Sequence, residues 1–177
     1  MSQLLKIEGR HIYLRELTVE DVSQEYLHWM QDEEVLRFTE SVGKVFNLDD
    51  LRKFVQEKLE SNTDYFFGIF LLDTEKHIGN IKMGNIDQSK GQADIGIIIG
   101  NKSMWGKGYA QEAISLVSKF AFDELGLNKI IAGMIELNIG SYKAFLKAGF
   151  NESRRDIGDI NFEGQQIDSI WMEKCQN

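Results

Sequence analysis

The chain has 177 residues, with 28 acidic against 20 basic side chains and a net charge of −8. That length suits a single domain over residues 1–177 with a core of its own, and an acidic surface repels polyphosphate, so no nucleic-acid partner is expected. No apolar run is long enough to span a bilayer, and the lone cysteine, Cys175, can close no internal disulfide. These features lead us to expect a cytoplasmic protein without a membrane partner.

Residues 11–17 alternate loosely through Ile12, Leu14 and Leu17 and predict a first strand. Thr18 with Asp21 resembles a capping box and opens a predicted helix over 19–30. Asn47 caps a second helix over 48–60, with Leu51, Phe54, Val55 and Leu59 on one face. Residues 65–72 and 77–86 are apolar runs joined by the four-residue turn 73–76, and a further strand follows over 93–99. The helix predicted over 110–125 aligns Ala113, Ile114, Val117, Phe120, Ala121 and Leu125, and Gly126 is suited to end it in a left-handed conformation. Residues 129–136 are apolar on both faces, as in a strand covered on two sides. A short helix over 138–147 closes at Gly149, and residues 152–157 and 166–174 supply a final hairpin.

The most informative stretch is 95–125, where an apolar strand runs through a loop with Gly106 and Gly108 into an amphipathic helix. A helix start leaves amides unpaired at a positive dipole end, and glycines let phosphate oxygens come close. Two common nucleotide motifs fail here. A P-loop requires G-x-x-x-x-G-K-[ST], but Gly100 and Gly106 stand one residue too far apart, and Gly108 follows Lys107 where Ser or Thr is needed. The dinucleotide fingerprint fails because Gln111 takes the place of its third glycine.

Trp105-Gly106-Lys107-Gly108-Tyr109-Ala110 resembles motif A of the GNAT superfamily, the acetyl-CoA-dependent N-acetyltransferases, whose pattern is [RQ]-x-x-G-x-[GA]. Trp105 departs from the opening Arg or Gln, and with the following GKGYA it is similar to the branch of the ribosomal-protein alanine N-acetyltransferases. Tyr26, Trp29, Asp32 and Val35 resemble that branch's Y-x-x-W-x-x-D-x-x-V opening. Asn138, Ser141, Phe145, Lys147, Gly149 and Phe150 resemble motif B, N-x-x-[SA]-x-x-x-[FLY]-x-K-x-G-F. The element order β-α-α-β-β-β-α-β-α-β-β is also that of the family.

The resemblance implies an α/β (α+β) GNAT fold: a mixed, mostly antiparallel twisted sheet, splayed between its fourth and fifth strands (93–99 and 129–136), with helices on both faces. It implies acetyl-CoA as co-substrate. The contacts expected are Trp105, Gly106, Lys107, Gly108, Tyr109 and Ala110 at the phosphates, Asn138 on the pantetheine arm, and backbone of Ile97, Ile98 or Ile99 at the thioester. Lys143 and Lys147, with Lys102, are candidates to screen the phosphates, and Lys107 leads because it lies inside the loop.

Acyl transfer to an amine needs a base, oxyanion donors and a route for the thiolate to leave. Asp94 and Glu136 are the candidate bases. Phe145 stands where many relatives place a proton-donating Tyr, so Ser141 is the substitute candidate at the cofactor sulfur; both Ser141 and Asn138 also suit a helix cap. His11, His28 and His77 are scattered without ligand spacing, so no metal is expected. The leading expectation is direct acetyl transfer to a primary amine, without an acyl-enzyme. The acceptor is a protein N-terminus, an amino-sugar nucleotide or a small amine, selected by segments 38–47 and 156–164. The alternative is a non-catalytic acyl-CoA sensor, and either a monomer or a homodimer fits.

Overall fold

The computed structural model describes residues 4–176. Its strands are β1 (Lys6–Glu8), β2 (Ile12–Glu16), β3 (Tyr65–Leu71), β4 (His77–Asp87), β5 (Gln92–Ile99), β6 (Lys129–Ile135), β7 (Asn151–Phe162) and β8 (Gln165–Cys175). Its helices are α1 (Gln24–Trp29), α2 (Glu33–Leu36), α3 (Leu48–Leu59), α4 (Tyr109–Asp123) and α5 (Ile139–Lys147). The strands form one sheet in the order β1-β2-β3-β4-β5-β6-β8-β7. All neighbours pair antiparallel except β5 and β6, which are parallel. This is the mixed sheet expected, with β1 added at one edge.

Two cores sandwich the sheet. On one face α4 packs Ala113, Ile114, Val117 and Ala121 onto Ile12, Leu14, Phe67, Ile69, Ile81 and Met83, all buried. Each large apolar side chain hidden there contributes about 1.5–3 kcal/mol. On the other face α1 and α3 bring Tyr26, Trp29, Leu51 and Val55 onto Tyr13 and Phe70. Gly100 permits that contact, because a Cβ on it would overlap the Trp29 indole.

The helix expected over 19–30 is divided. Thr18 and Asp21 do form a capping box, but it closes only a 3-10 turn over Val19–Asp21. The Asp21 carboxylate is also drawn to Arg15 (2.6 Å), buried Val22 runs extended, and Ser23 then caps α1 afresh by accepting from the Tyr26 amide (3.1 Å). The cap on α3 is as expected, with Asn47 and Asp50 exchanging hydrogen bonds. Gly126, at φ 65°, follows α4 in the left-handed conformation.

Two further expectations change. Segment 156–164 is mostly strand, because β7 continues to Phe162 through a bulge between Asp156 and Ile160. Strand β6 is covered on one face only: Ile130, Ala132 and Met134 are buried, while Gly133 is exposed and Ile131 and Ile135 are half-buried. Among the described residues no helix covers that second face at β6, which leaves the sheet accessible there.

Candidate active site

The parallel pair β5 and β6 is joined only at Gln92–Lys129, Ala93–Ile130 and Asp94–Ile131. Beyond Asp94 the strands diverge. Successive residues of a strand direct their peptide groups to opposite neighbours, and the Lys129 amide donates to Gly91 O (3.1 Å), so odd-numbered residues of β5 face β6. The peptide groups of Ile97 and Ile99 therefore open onto the gap. All three isoleucines are registered on β4, but even-numbered Ile98 turns its peptide groups toward that strand, and its side chain packs with the α1–α3 core. Its expected role as a backbone donor in the gap does not fit this register. The Ile99 carbonyl is taken by the Trp105 indole N–H (2.7 Å), which ties the glycine loop to the end of β5.

The loop then enters α4. Gly106 has φ 73° and Gly108 φ 87°, conformations that a side chain disfavours, and a Cβ on either would meet nothing within 4 Å. The space beside these glycines is thus open to a ligand. Gly108 is the N-cap and supplies no side-chain acceptor, so the first-turn amides of Tyr109 and Ala110 receive no side-chain cap. At the end of β6, α5 starts in parallel fashion. Asn138 Oδ1 caps it by accepting from the Ser141 amide (3.1 Å), leaving the carboxamide N–H groups for another partner. Two positive helix ends stand at the carboxyl ends of two diverging parallel strands.

The basic candidates divide. Lys107 is exposed inside the loop, with its ammonium 3.8 Å from Met104 Sδ, and Lys143 and Lys147 are exposed on α5. Lys102 is committed elsewhere, to Asp32 (2.7 Å) and Glu34 (3.0 Å), which pull its pKa up. It fastens α2 to the strand end and is not free to screen phosphates.

Neither carboxylate candidate stands free in the gap. Asp94 lies at its root, where Oδ2 accepts from Asn85 (2.9 Å) and Oδ1 is sealed from solvent without a hydrogen-bond partner. Glu136 turns back to β8, accepting from the Asp168 amide (3.0 Å) and facing Arg155 (3.5 Å). Arg155 also holds Glu152 (3.0 Å) and Asp168 (3.2 Å). The Arg155 hydrogen bond to Glu152 keeps that carboxyl below its ordinary range and raises the pKa of the guanidinium. Phe145 is 2% exposed and packs edge-on against Phe150 (5.0 Å), so its position is filled by core. The Ser141 hydroxyl makes no hydrogen bond among the described residues.

The two segments expected to choose the acceptor do meet. Phe38 lies against Phe162 (5.8 Å), and Arg37 reaches Glu163 (3.4 Å) at the tip of the β7–β8 hairpin. Sequence reasoning missed Gly96, Gly133 and Trp171, which border the gap on its open face. The glycines carried a signal, since glycine inside an apolar strand often marks a close approach of a ligand or backbone. Trp171 carried none. Glu112 clasps the β1–β2 turn, accepting from the amides of Arg10 (2.6 Å), His11 (2.8 Å) and Ile12 (3.3 Å).

A mostly antiparallel sheet split at one parallel pair, with a glycine loop and a capped helix at the split, is the mixed α/β architecture expected from the sequence. Residues 11–151 match the acetyltransferase (GNAT) domain family. A probable N-acetyltransferase, YjcK, of Bacillus subtilis is 30% identical, covering 94% of this chain and 92% of its own. The ribosomal-protein-S5-alanine acetyltransferase of Vibrio fischeri superposes with a TM-score of 0.83 at 18% identity, covering 98% of this chain and 97% of its own. The spermidine N-acetyltransferase of Vibrio cholerae, solved in complex with CoA and spermine, does so with a TM-score of 0.82 at 20% identity over 95% and 97%. The chain belongs to the GNAT family and is an acetyl-CoA-dependent N-acetyltransferase.

Proposed function

We propose that residues 1–177 act as one cytoplasmic N-acetyltransferase domain that moves acetyl from acetyl-CoA directly to a primary amine. The acceptor is a protein N-terminus, an amino-sugar nucleotide or a small amine. Residues 1–3 and 177 lie outside the described structure. The observation that carries this reading is the gap itself: Gly106 and Gly108 open space beside uncapped α4 amides, and Ile97 backbone faces an unpaired strand edge.

The residues fit the cofactor. Amides of Gly106, Lys107, Gly108, Tyr109 and Ala110 would hold the pyrophosphate, with Lys107, Lys143 and Lys147 adding positive charge and Trp105 securing the loop. The Asn138 carboxamide N–H would meet an amide carbonyl of the pantetheine arm. When bound, acetyl-CoA supplies an activated thioester. The Ile97 N–H stands as the oxyanion donor, a preorganised group of a kind worth about 3–4 kcal/mol. Ser141, whose hydroxyl makes no hydrogen bond among the described residues, would serve as the proton donor near the sulfur. Asp94 and Glu136 remain the base candidates, each acting through water, since one is sealed on Oδ1 and the other is engaged by Arg155.

An acetylation assay over N-terminal peptides, amino-sugar nucleotides, polyamines and simple amines, read as free thiol, tests this reading. Turnover of at least one class is expected. Tight CoA binding with no turnover across the panel would favour an acyl-CoA sensor instead.

A further inference from the structure

The gap has two sides, and α4 covers only one. On the opposite face each bank carries a glycine: Gly96 of β5 and Gly133 of β6 each stand two residues past the last pair, Asp94–Ile131. A Cβ on Gly96 would meet nothing within 4 Å. A Cβ on Gly133 would meet the indole of Trp171, its partner on β8, at 3.1 Å. Trp171 therefore lies over the Gly133 backbone beside the mouth of the gap. Its indole N–H donates to Asp156 Oδ2 (3.1 Å), the Arg154 guanidinium lies over its ring (4.9 Å), and Arg154 pairs with that same Asp156 oxygen (3.0 Å). A half-buried indole fixed by a hydrogen bond to Asp156 and by the Arg154 guanidinium over its ring is a built surface.

We infer that Trp171, positioned by Asp156 and Arg154, is the wall that sets acceptor width. In this reading, which rests on the proposed function, the amine reaches the thioester over Gly96 and Gly133 from the open face. Because Gly96 and Gly133 place no side chain at this crossing, the bulky group over it is the Trp171 indole, with Ile131 and Ile135 flanking Gly133 along β6. It favours a primary amine on a slender, unbranched chain over one branched next to the nitrogen. Asp156 and Arg154 are positioning residues that touch the indole.

The test compares wild type with Trp171→Ala and Trp171→Phe on a slender set (butylamine, 1,4-diaminobutane, a glycine-initiated tripeptide) and a branched set (α-methylbenzylamine, a valine-initiated tripeptide). For Trp171→Ala, kcat/KM for branched relative to slender amines rises at least about tenfold, the scale on which small steric differences discriminate substrates. KM for slender amines rises, and CoA affinity is unchanged. Trp171→Phe moves the same ratio less, and keeps the measurement open if the alanine variant does not fold. Asp156→Ala, which releases the indole, moves it in the same direction. An active variant with an unaltered ratio overturns the wall, as does a loss of CoA affinity matching the loss of activity. Wild-type inactivity toward this panel overturns the inference, and inactivity that extends to amino-sugar nucleotides brings down the proposed function with it.

Discussion

In the proposed reading, Asn138 serves folding and binding with different atoms. Its oxygen caps α5, and its N–H groups, which donate to no group among the described residues, would meet the cofactor. Asn138→Asp keeps an acceptor at the cap but loses the donors and adds charge, so calorimetry should show weaker CoA binding with an unchanged melting temperature. Asn138→Ala should weaken binding too, and should also cost about 1 kcal/mol of stability, or roughly 2–4 °C in Tm. Equal CoA affinity in the aspartate variant would remove Asn138 from the cofactor site. At Gly108 the φ of 87° and the open space act together. Gly108→Val should abolish measurable CoA binding while circular dichroism still shows a folded chain, and normal affinity would refute the phosphate placement. Both residues were legible because a motif named them. The hydrogen bond from Trp105 to Ile99 was not, because it joins residues whose distance depends on how sharply the loop turns.

Among the elements, two attachments respond to pH in ways that can be worked out. His77 at the start of β4 is half-buried behind α1, stacked on Phe70 (4.8 Å), with Nε2–H donating to Asn80 Oδ1 (2.8 Å). Burial pushes its pKa below the ordinary 6.5. The unfolded chain therefore binds the extra proton first, and stability should fall as pH drops below about 6.5. Urea unfolding between pH 7 and 5 should show that loss, and His77→Gln should flatten it. Glu112 works through a different balance: burial would raise its carboxyl, but the His11 amide and ring and the amides of Arg10 and Ile12 hold it below the ordinary range. Its contribution is present above the unfolded value and lost as pH falls through the lower folded one. Glu112→Ala should cost about 1–3 kcal/mol near neutral pH, shrinking toward the wild type under acid conditions. The positions of α3, α4 and α5 could be read from periodicity and caps. The break before α1 could not, because Asp21 serves Arg15 as well as Thr18, and Arg15 comes near only once β2 is in the sheet.

For the molecule as a whole, the order of elements was legible from hydrophobic pattern, but the splay was legible only through family resemblance. Periodicity cannot show that β5 and β6 separate after three pairs, or that β8 inserts between β6 and β7. It also misread β6: Ile131 and Ile135 suggested cover on both sides, yet they line the face left accessible beside Gly133. Apolar residues in a strand report contact with something, and here that something need not be protein. The proposed function requires a CoA thioester in this opening, and a crystal structure with CoA bound is the decisive measurement. Phosphate oxygens are expected about 3 Å from the amides of residues 106–110, with the pantetheine arm between β5 and β6. CoA bound elsewhere, with those amides and the gap untouched, would contradict it.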